Sequence, residues 1–179
     1  MGVIVRERRP SDVTSLVDVL REVHVRDRYP IVGTHVEPGW LTEPDGPAWV
    51  AEVDGEVVGQ AALATGADAV SLAALGGASV EAATLSRFFV APRARGTGSG
   101  AALLDAVEGY AAARGLGLAL EVVAHNAAAR RLYERRGWTP LGSYEARWFG
   151  ADGPAYEAYR FVRPPVTSAP DQGCGTIGG

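Results

Sequence analysis

The 179-residue sequence holds a single cysteine, Cys174, in a Gly/Pro-rich C-terminal stretch, so it can build neither an intrachain disulfide framework nor a cysteine-rich zinc site. No run of eighteen apolar residues occurs, and the opening MGVIVRERRP reaches Arg6 before an apolar h-region can form. Neither membrane insertion nor export is expected, and a reducing cytoplasm is the expected setting. No Gly-Lys-Ser/Thr is present, which excludes a Walker phosphate loop. Positive charge is not in excess: 17 Lys+Arg stand against 21 Asp+Glu, a formal net charge of −4. Such a surface is poorly suited to neutralising nucleic-acid phosphates and mildly favours a cationic partner. Internal repeats are absent. The length fits one domain over residues 1–162, and the remaining 163–179 carry too little apolar content to pack, which predicts a flexible tail.

What the sequence does contain is an ordered series of periodic segments. Val3 to Arg6 reads as a strand, and Pro10-Ser11-Asp12 opens a helix whose stripe is Val13, Leu16, Val17, Leu20 and Val23. Periodicity fails from His24 to Pro47, a long loop with room for one short helix. Ala48 to Val53 and Glu56 to Leu63 form a hairpin across Asp54-Gly55, because a type I′ turn needs positive φ at both positions. Ala67 to Leu75 suits a short helix without an evident role. Leu85 to Val90 is the next strand, followed by a helix to about Arg114 with Leu103, Leu104, Val107, Tyr110 and Ala111 inward and with Gly115 and Gly117 to stop it. Leu118 to Val123 is a strand, Asn126 caps a helix, Gly137 ends it, and Trp138 enters the core. Thr139–Trp148 and Tyr156–Val162 complete the series as strands. The order predicts an α+β or mixed α/β sheet with one strand-helix-strand crossover and helices on both faces.

The chemistry-bearing stretch is FFVAPRARGTGSG, residues 88–100, where a strand passes through a Pro/Arg bend and a glycine loop into a helix. A helix N-terminus offers unpaired N–H groups and a partial positive charge, and glycines let the backbone close on a diphosphate. Arg93 and Arg95 add charge nearby. Arg95-Gly96-Thr97-Gly98-Ser99-Gly100 resembles the Arg/Gln-x-x-Gly-x-Gly/Ala loop of the GNAT acetyltransferase superfamily. Downstream, His125-Asn126-Ala127-Ala128-Ala129-Arg130-Arg131-Leu132-Tyr133-Glu134-Arg135-Arg136-Gly137-Trp138 is similar to that family's Asn-x-x-Ala-x-x-x-Tyr-x-x-x-Gly-Phe/Trp segment, at matching spacing and in the same order. The WVAEVDGEVVG hairpin and the IVRERRPSDV opening resemble the family as well, so the similarity spans about residues 3–162.

The resemblance implies a mixed, mostly antiparallel twisted sheet and transfer of acetyl from acetyl-CoA to a primary amine, without a metal. It implies that Phe89 and Val90 offer backbone groups to the pantetheine and acetyl carbonyl, that Arg95, Gly96, Thr97, Gly98, Ser99 and Gly100 hold the pyrophosphate, that Asn126 bonds the pantetheine arm, and that Ala129 leaves room for it. It also makes Tyr133 the group that faces the CoA sulfur and serves as general acid. Asn126 and Tyr133 lie seven residues apart, about two turns, on one helix face. Because a phenol near pKa ~10 is a weaker acid than a thiol near ~8.5, a hydrogen bond that grows in the transition state suffices for that role. Many relatives carry a glutamate on the strand before the loop, where this sequence has Leu85-Ser86-Arg87-Phe88. Glu121, Glu52, His24, Asp27, His35 or a water relay remain as the base, each also readable as a surface group. Tyr29, His35 and Trp40 in the long loop suit an acceptor wall, the acceptor being a small amine in preference to a protein tail. A homodimer through the late strands also follows from the resemblance. Two rivals stand beside this reading: a dinucleotide fold built on Gly96-x-Gly98-x-x-Ala101 with Glu121 as ribose ligand, and a non-catalytic acyl-CoA sensor of the same fold.

Overall fold

Asp54 and Gly55 take φ of 51° and 83°, the pair of positive values that a type I′ turn needs, and they join β2 (Ala48–Val53) to β3 (Glu56–Thr65). A computed structural model describes residues 2–31 and 35–166 of the chain. Around this hairpin, β1 (Val3–Glu7) pairs antiparallel with β2, and β4 (Ala82–Val90) antiparallel with β3. β5 (Gly117–Val123) runs parallel to β4. β6 (Thr139–Ala146) and β7 (Tyr156–Arg163) finish a seven-stranded sheet in the order β1-β2-β3-β4-β5-β7-β6. A single parallel pair is what one helical crossover produces. The dinucleotide alternative, which needs repeated parallel βα units, is thereby overturned.

The helices divide between the two faces. α4 (Ser99–Arg114) and α5 (Ala127–Arg135) cover one of them: Trp49 of β2 meets Tyr110 of α4 at 5.3 Å, and Phe161 of β7 meets Tyr133 of α5 at 5.7 Å. α1 (Val13–Asp27), α2 (Pro38–Thr42) and α3 (Ala69–Leu75) cover the other. There Phe89 of β4 packs on Tyr29 just after α1, and Arg160 of β7 pairs with Asp68, the cap of α3. Leu16, Leu20, Leu103, Leu104, Leu118, Leu120, Trp138 and Phe161 are fully or almost fully buried, each large aliphatic side chain contributing roughly 1.5–3 kcal/mol relative to exposure.

α1 is tied to the sheet through charge. Arg6 of β1 donates to both oxygens of the buried Asp12 at 2.8 Å and to Glu52 of β2 at 2.9 Å. The Arg6 hydrogen bonds hold the Asp12 carboxyl below the usual carboxylate range against the opposing effect of burial. A depressed folded-state pKa contributes stability above the unfolded value near pH ~3.9 and loses it as pH falls through the folded value. Arg6→Ala would strand a buried carboxylate. It is expected to destabilise the chain by about 3 kcal/mol in urea unfolding at pH 7, and by less as the pH is lowered through the acid range.

The feature that positions the site is a failure of pairing. β4 and β5 pair only from Ala82↔Gly117 to Leu85↔Leu120; beyond this, Ser86–Val90 and Glu121–Val123 are not paired with each other. On its other side β4 carries a bulge, since Gln60 opposes Phe89 while Ala62 opposes Ser86, and Arg87 sits there at φ 50°. A bulge bends its strand and increases twist, which carries the end of β4 away from β5. Arg87 then reaches α2, donating to Trp40 O at 2.9 Å and stacking over the Trp40 ring at 4.2 Å. Arg8 donates to Leu41 O at 2.7 Å, so two guanidiniums dock the last carbonyls of α2.

Several bounds differ from the sequence expectation. α1 continues past His24 to Asp27, and β4 begins at Ala82 because parallel pairing with β5 recruits Ala82–Leu85. Gly115 alone ends α4, in the left-handed region, whereas Gly117 opens β5. β6 stops at Ala146. Arg163, expected in the tail, belongs to β7 and donates to Arg136 O at 2.6 Å. The rest of the predicted tail from 167 on, with Cys174, lies outside the described residues.

Candidate active site

The glycine loop forms as its composition requires. After a 3-10 turn at Pro92–Ala94, Gly96 and Gly98 adopt φ of 79° and 90°. A Cβ at either position would meet no atom within 4 Å, so backbone conformation and not crowding calls for glycine here. The first helical bond of α4 runs from Ala102 N to Gly98 O, which leaves the N–H groups of Ser99, Gly100 and Ala101 without an acceptor inside the helix. Thr97 braces the turn by donating to Ala94 O at 2.7 Å and sharing a hydrogen bond of 2.7 Å with Ser99 Oγ. Thr97 and Ser99 thus spend their hydroxyls on the loop.

The arginines do not stand free beside this loop, contrary to the expectation of two extra charges. Arg95 pairs with Asp27, Nη1 lying 3.3 Å from Oδ1, and Arg93 pairs with Glu22 and, at 3.8 Å, with Glu56. The last turns of α1 bring Glu22 and Asp27 alongside. Exposed pairs of this kind contribute little, so Arg95 can leave Asp27 at small cost.

The second half of the site lies at α5. Asn126 Oδ1 accepts from Ala129 N at 3.1 Å, capping the helix and leaving Nδ2 as a donor. Tyr133 is only 5% exposed and packs against Phe88, Trp138 and Phe161. Burial pushes its phenol well above the ordinary value, and Tyr29 adds to the shift. The helix end is fixed by Glu108 of α4, which accepts from Arg136 Nε at 3.1 Å and Trp138 Nε1 at 2.9 Å. Burial raises the Glu108 pKa, but these two partners together with the charge of Arg163 more than offset that and leave it below the usual range.

Phe89 and Val90 turn out not to be equivalent. Ala91 N donates to Val58 O at 2.7 Å, and the same register pairs Phe89 with Gln60 and Val90 with Gly59. Neighbouring residues of a strand direct their backbone groups to opposite edges, so those of Phe89 turn into β3 while those of Val90 turn toward the open gap. Phe89 was expected to offer its backbone to the arm, and in this register those groups face β3. Its ring instead supports Tyr29.

The other face of the gap carries Glu121, the first residue of β5 past the last pair with β4. Trp148 Nε1 donates to Glu121 at 2.8 Å, and Arg160 lies 3.5 Å away over the Tyr144 ring. Burial, then Glu121, push the Tyr144 phenol upward. An aromatic chain spans the mouth: Tyr29 on Trp40, Trp40 on His35, His35 on Phe149 and Phe149 on Tyr156, at centroid distances of 5.8 to 6.1 Å. A hollow of about 430 Å³ lined by Val123, Ala124, His125, Tyr156 and Glu157 adjoins it at the end of β5.

Of the candidate bases, the fold brings only Glu121 to the open step. Glu52 is held by Arg6 at the far side of the sheet, Asp27 by Arg95, and His24 Nδ1 meets Pro30 O at 2.8 Å. His35 is stacked in the aromatic chain. Sequence reasoning gave no place at the gap or its mouth to Arg87, Trp148 and Phe149. For the last two a signal existed, paired aromatics before Gly150 between two strand-like runs. Among the described residues no group of three or more His, Cys, Asp or Glu could hold a metal ion, and no helix is long and apolar enough to cross a membrane.

The sequence profile of the Acetyltransferase (GNAT) family matches residues 14–138. The chain belongs to the GNAT acetyltransferase family. Solved structures similar to this GNAT acetyltransferase include the ribosomal-protein-S18-alanine N-acetyltransferase from Escherichia coli, 20% identical over 95% of this chain and 98% of that one, with a TM-score of 0.67. Arabidopsis thaliana NAA60 in complex with acetyl-CoA is 23% identical over 90% and 98%, with a TM-score of 0.66. An N-acetyltransferase from Staphylococcus aureus Mu50 is 16% identical over 92% and 99%, with a TM-score of 0.68. At these identities the likeness concerns the fold. No curated protein matches the chain in sequence.

Proposed function

We propose that this GNAT acetyltransferase moves acetyl from acetyl-CoA to the primary amine of a small molecule by direct attack. The observation that carries the proposal is the unpaired β4–β5 gap, flanked by a glycine loop at a helix N-terminus on one side and by Glu121 with an aromatic mouth on the other. Acetyl-CoA, the molecule bound in the Arabidopsis thaliana NAA60 complex, would supply the thioester carbonyl.

Under this reading the amides from Gly96 to Ala101 seat the diphosphate, with Arg95 at its edge, and Asn126 Nδ2 and the space beside Ala129 receive the arm. The Val90 N–H, already aimed into the gap, faces charge growing on the carbonyl oxygen. Tyr133 donates a hydrogen bond to the departing sulfur from the α5 face. Glu121, from the opposite face, takes the proton that the amine nitrogen sheds. A small acceptor is favoured over a protein tail because His35 and Phe149 meet across the mouth at 5.9 Å, and aromatic walls suit a cation.

The test is thiol release from acetyl-CoA with tyramine, putrescine and glycine amide, the product being checked for the mass of one acetyl group. Turnover with one or more of these is expected. Calorimetric binding of acetyl-CoA without turnover on any amine would favour the sensor reading instead. For Glu121→Gln, a fall of at least tenfold in kcat/KM is expected, together with flattening of the limb of the pH profile that rises as the base loses its proton.

A further inference from the structure

One polar group at the open step has no work in the reaction as described above. Ser86 is the first residue of β4 beyond the last pair with β5, as Glu121 is the first of β5, so the two stand on neighbouring strands where the gap begins. Both side chains lie on the α1–α3 face. Ser86 alternates with Thr84, whose Oγ1 donates to Gly66 O at 2.8 Å beside α3, and Glu121 pairs across the sheet with Arg160, which meets Asp68 of α3. The Ser86 hydroxyl is shut off from solvent and has no hydrogen-bond partner. A hydroxyl kept for structure finds an acceptor, as that of Thr84 does; a buried one left unpaired is unfavourable and calls for an explanation. Its position supplies one: Ser86 precedes the bulge at Arg87 and lies beside Glu121 where the β4–β5 ladder stops, so an acceptor entering at that step would meet the buried hydroxyl.

We propose that Ser86 is an amine-binding residue, its hydroxyl oxygen and the Glu121 carboxylate bracketing the acceptor nitrogen from the two diverging strands. The inference rests on the acetyltransfer reading. A neutral primary amine that attacks through its lone pair has two N–H bonds to orient. One points to Glu121 and the other to Ser86 Oγ, which aims the lone pair into the gap toward the carbonyl carbon. As the N–C bond forms and the C–S bond breaks with its electron pair leaving on sulfur, the nitrogen's surplus proton passes to Glu121. The serine keeps its own proton throughout. Trp148 now occupies the carboxylate with its indole N–H at 2.8 Å, and the entering amine exchanges for that bond.

The experiment uses the full chain, with acetyl-CoA and whichever of tyramine, putrescine and glycine amide the wild type acetylates fastest. Ser86→Ala is expected to retain the wild-type Tm or exceed it slightly, because it removes an unpaired buried hydroxyl, and to bind acetyl-CoA with unchanged calorimetric affinity. Its kcat/KM for the amine should fall about tenfold, the loss of one well-placed hydrogen bond. Ser86→Thr, which keeps a hydroxyl, should recover part of that loss. Combined with Glu121→Gln, the loss should be less than the product of the two separate losses, since both groups hold one atom. An unchanged kcat/KM in Ser86→Ala, or a loss matched by equal losses in Tm and acetyl-CoA affinity, overturns the proposal. If the wild type acetylates no amine, the acetyltransfer reading falls and takes this one with it. If it acetylates one and Ser86→Ala does so equally well, only the serine assignment fails.

Discussion

Tyr133→Phe is expected to lower kcat at least tenfold while leaving the fold, the affinity for acetyl-CoA and the shape of the pH profile intact. The reason is the environment of the phenol. Tyr133 is enclosed by Phe88, Trp138 and Phe161, and burial raises its pKa above the ordinary tyrosine value. Outright proton transfer to a thiolate, already uphill for an ordinary phenol, becomes steeper still, so in the proposed reaction the side chain would act as a fixed hydrogen-bond donor to sulfur. Removing one preorganised donor aimed at developing charge can lower rates by factors of about a hundred to a thousand. Because the group stays neutral over the working range, its loss should move no limb of the profile between about pH 6 and 9. At high pH the sign is fixed as well: a phenol with a raised folded-state value contributes stability that is fully present below the unfolded value near pH ~10 and is lost as pH rises toward the folded one. Tyr133→Phe should therefore shift the alkaline unfolding midpoint upward. Stopped-flow kinetics, calorimetry and pH melts check these points, and a kcat equal to wild type would remove Tyr133 from the mechanism.

Gly98→Val is expected to weaken acetyl-CoA binding by more than tenfold in calorimetric titration while leaving a folded protein. Gly98 holds φ 90° immediately before α4, a region in which a β-branched residue is strained by roughly 1–3 kcal/mol. Nothing in the protein lies within 4 Å of the added Cβ, so the core has no part in the loss. The strain turns the amides of residues 98–100 away from their common focus, and the new side chain projects into the space where a diphosphate would sit. Arg95→Ala should cost only a few-fold by comparison, because its guanidinium begins in an exposed pair with Asp27. The reverse ranking would place the main anion contact on the side chain and not on the backbone.

Much of the framework could be read from residues alone. Asp54-Gly55, the capping Asn126 and the Leu103–Ala111 stripe each act through local geometry, and each appears where the sequence puts it. The glycine loop was legible for the same reason, since positive φ leaves a compositional mark. What could not be read depends on partners distant in sequence. That Arg93 and Arg95 would meet Glu22 and Asp27 follows from the docking of α1, 71 and 68 residues away in the chain. That Glu121, of the five side chains considered as a base, lies beside the gap follows from where the β4–β5 ladder stops, and the opposite directions of the Phe89 and Val90 backbone groups follow from a register set by a bulge. Ser86 carried no mark at all, because an unpaired hydroxyl is defined by what surrounds it.

With only Ala82–Leu85 joining β4 to β5, the strands β1 to β4 and β5 to β7 are stitched along a short seam, and beyond it the main-chain donors and acceptors that face the gap lack a strand neighbour. A linear amide-bearing molecule laid into that opening would act as a borrowed eighth strand. Recognition of the co-substrate and completion of the sheet would then draw on one set of hydrogen bonds, which links occupancy directly to the rigidity of the whole β-layer.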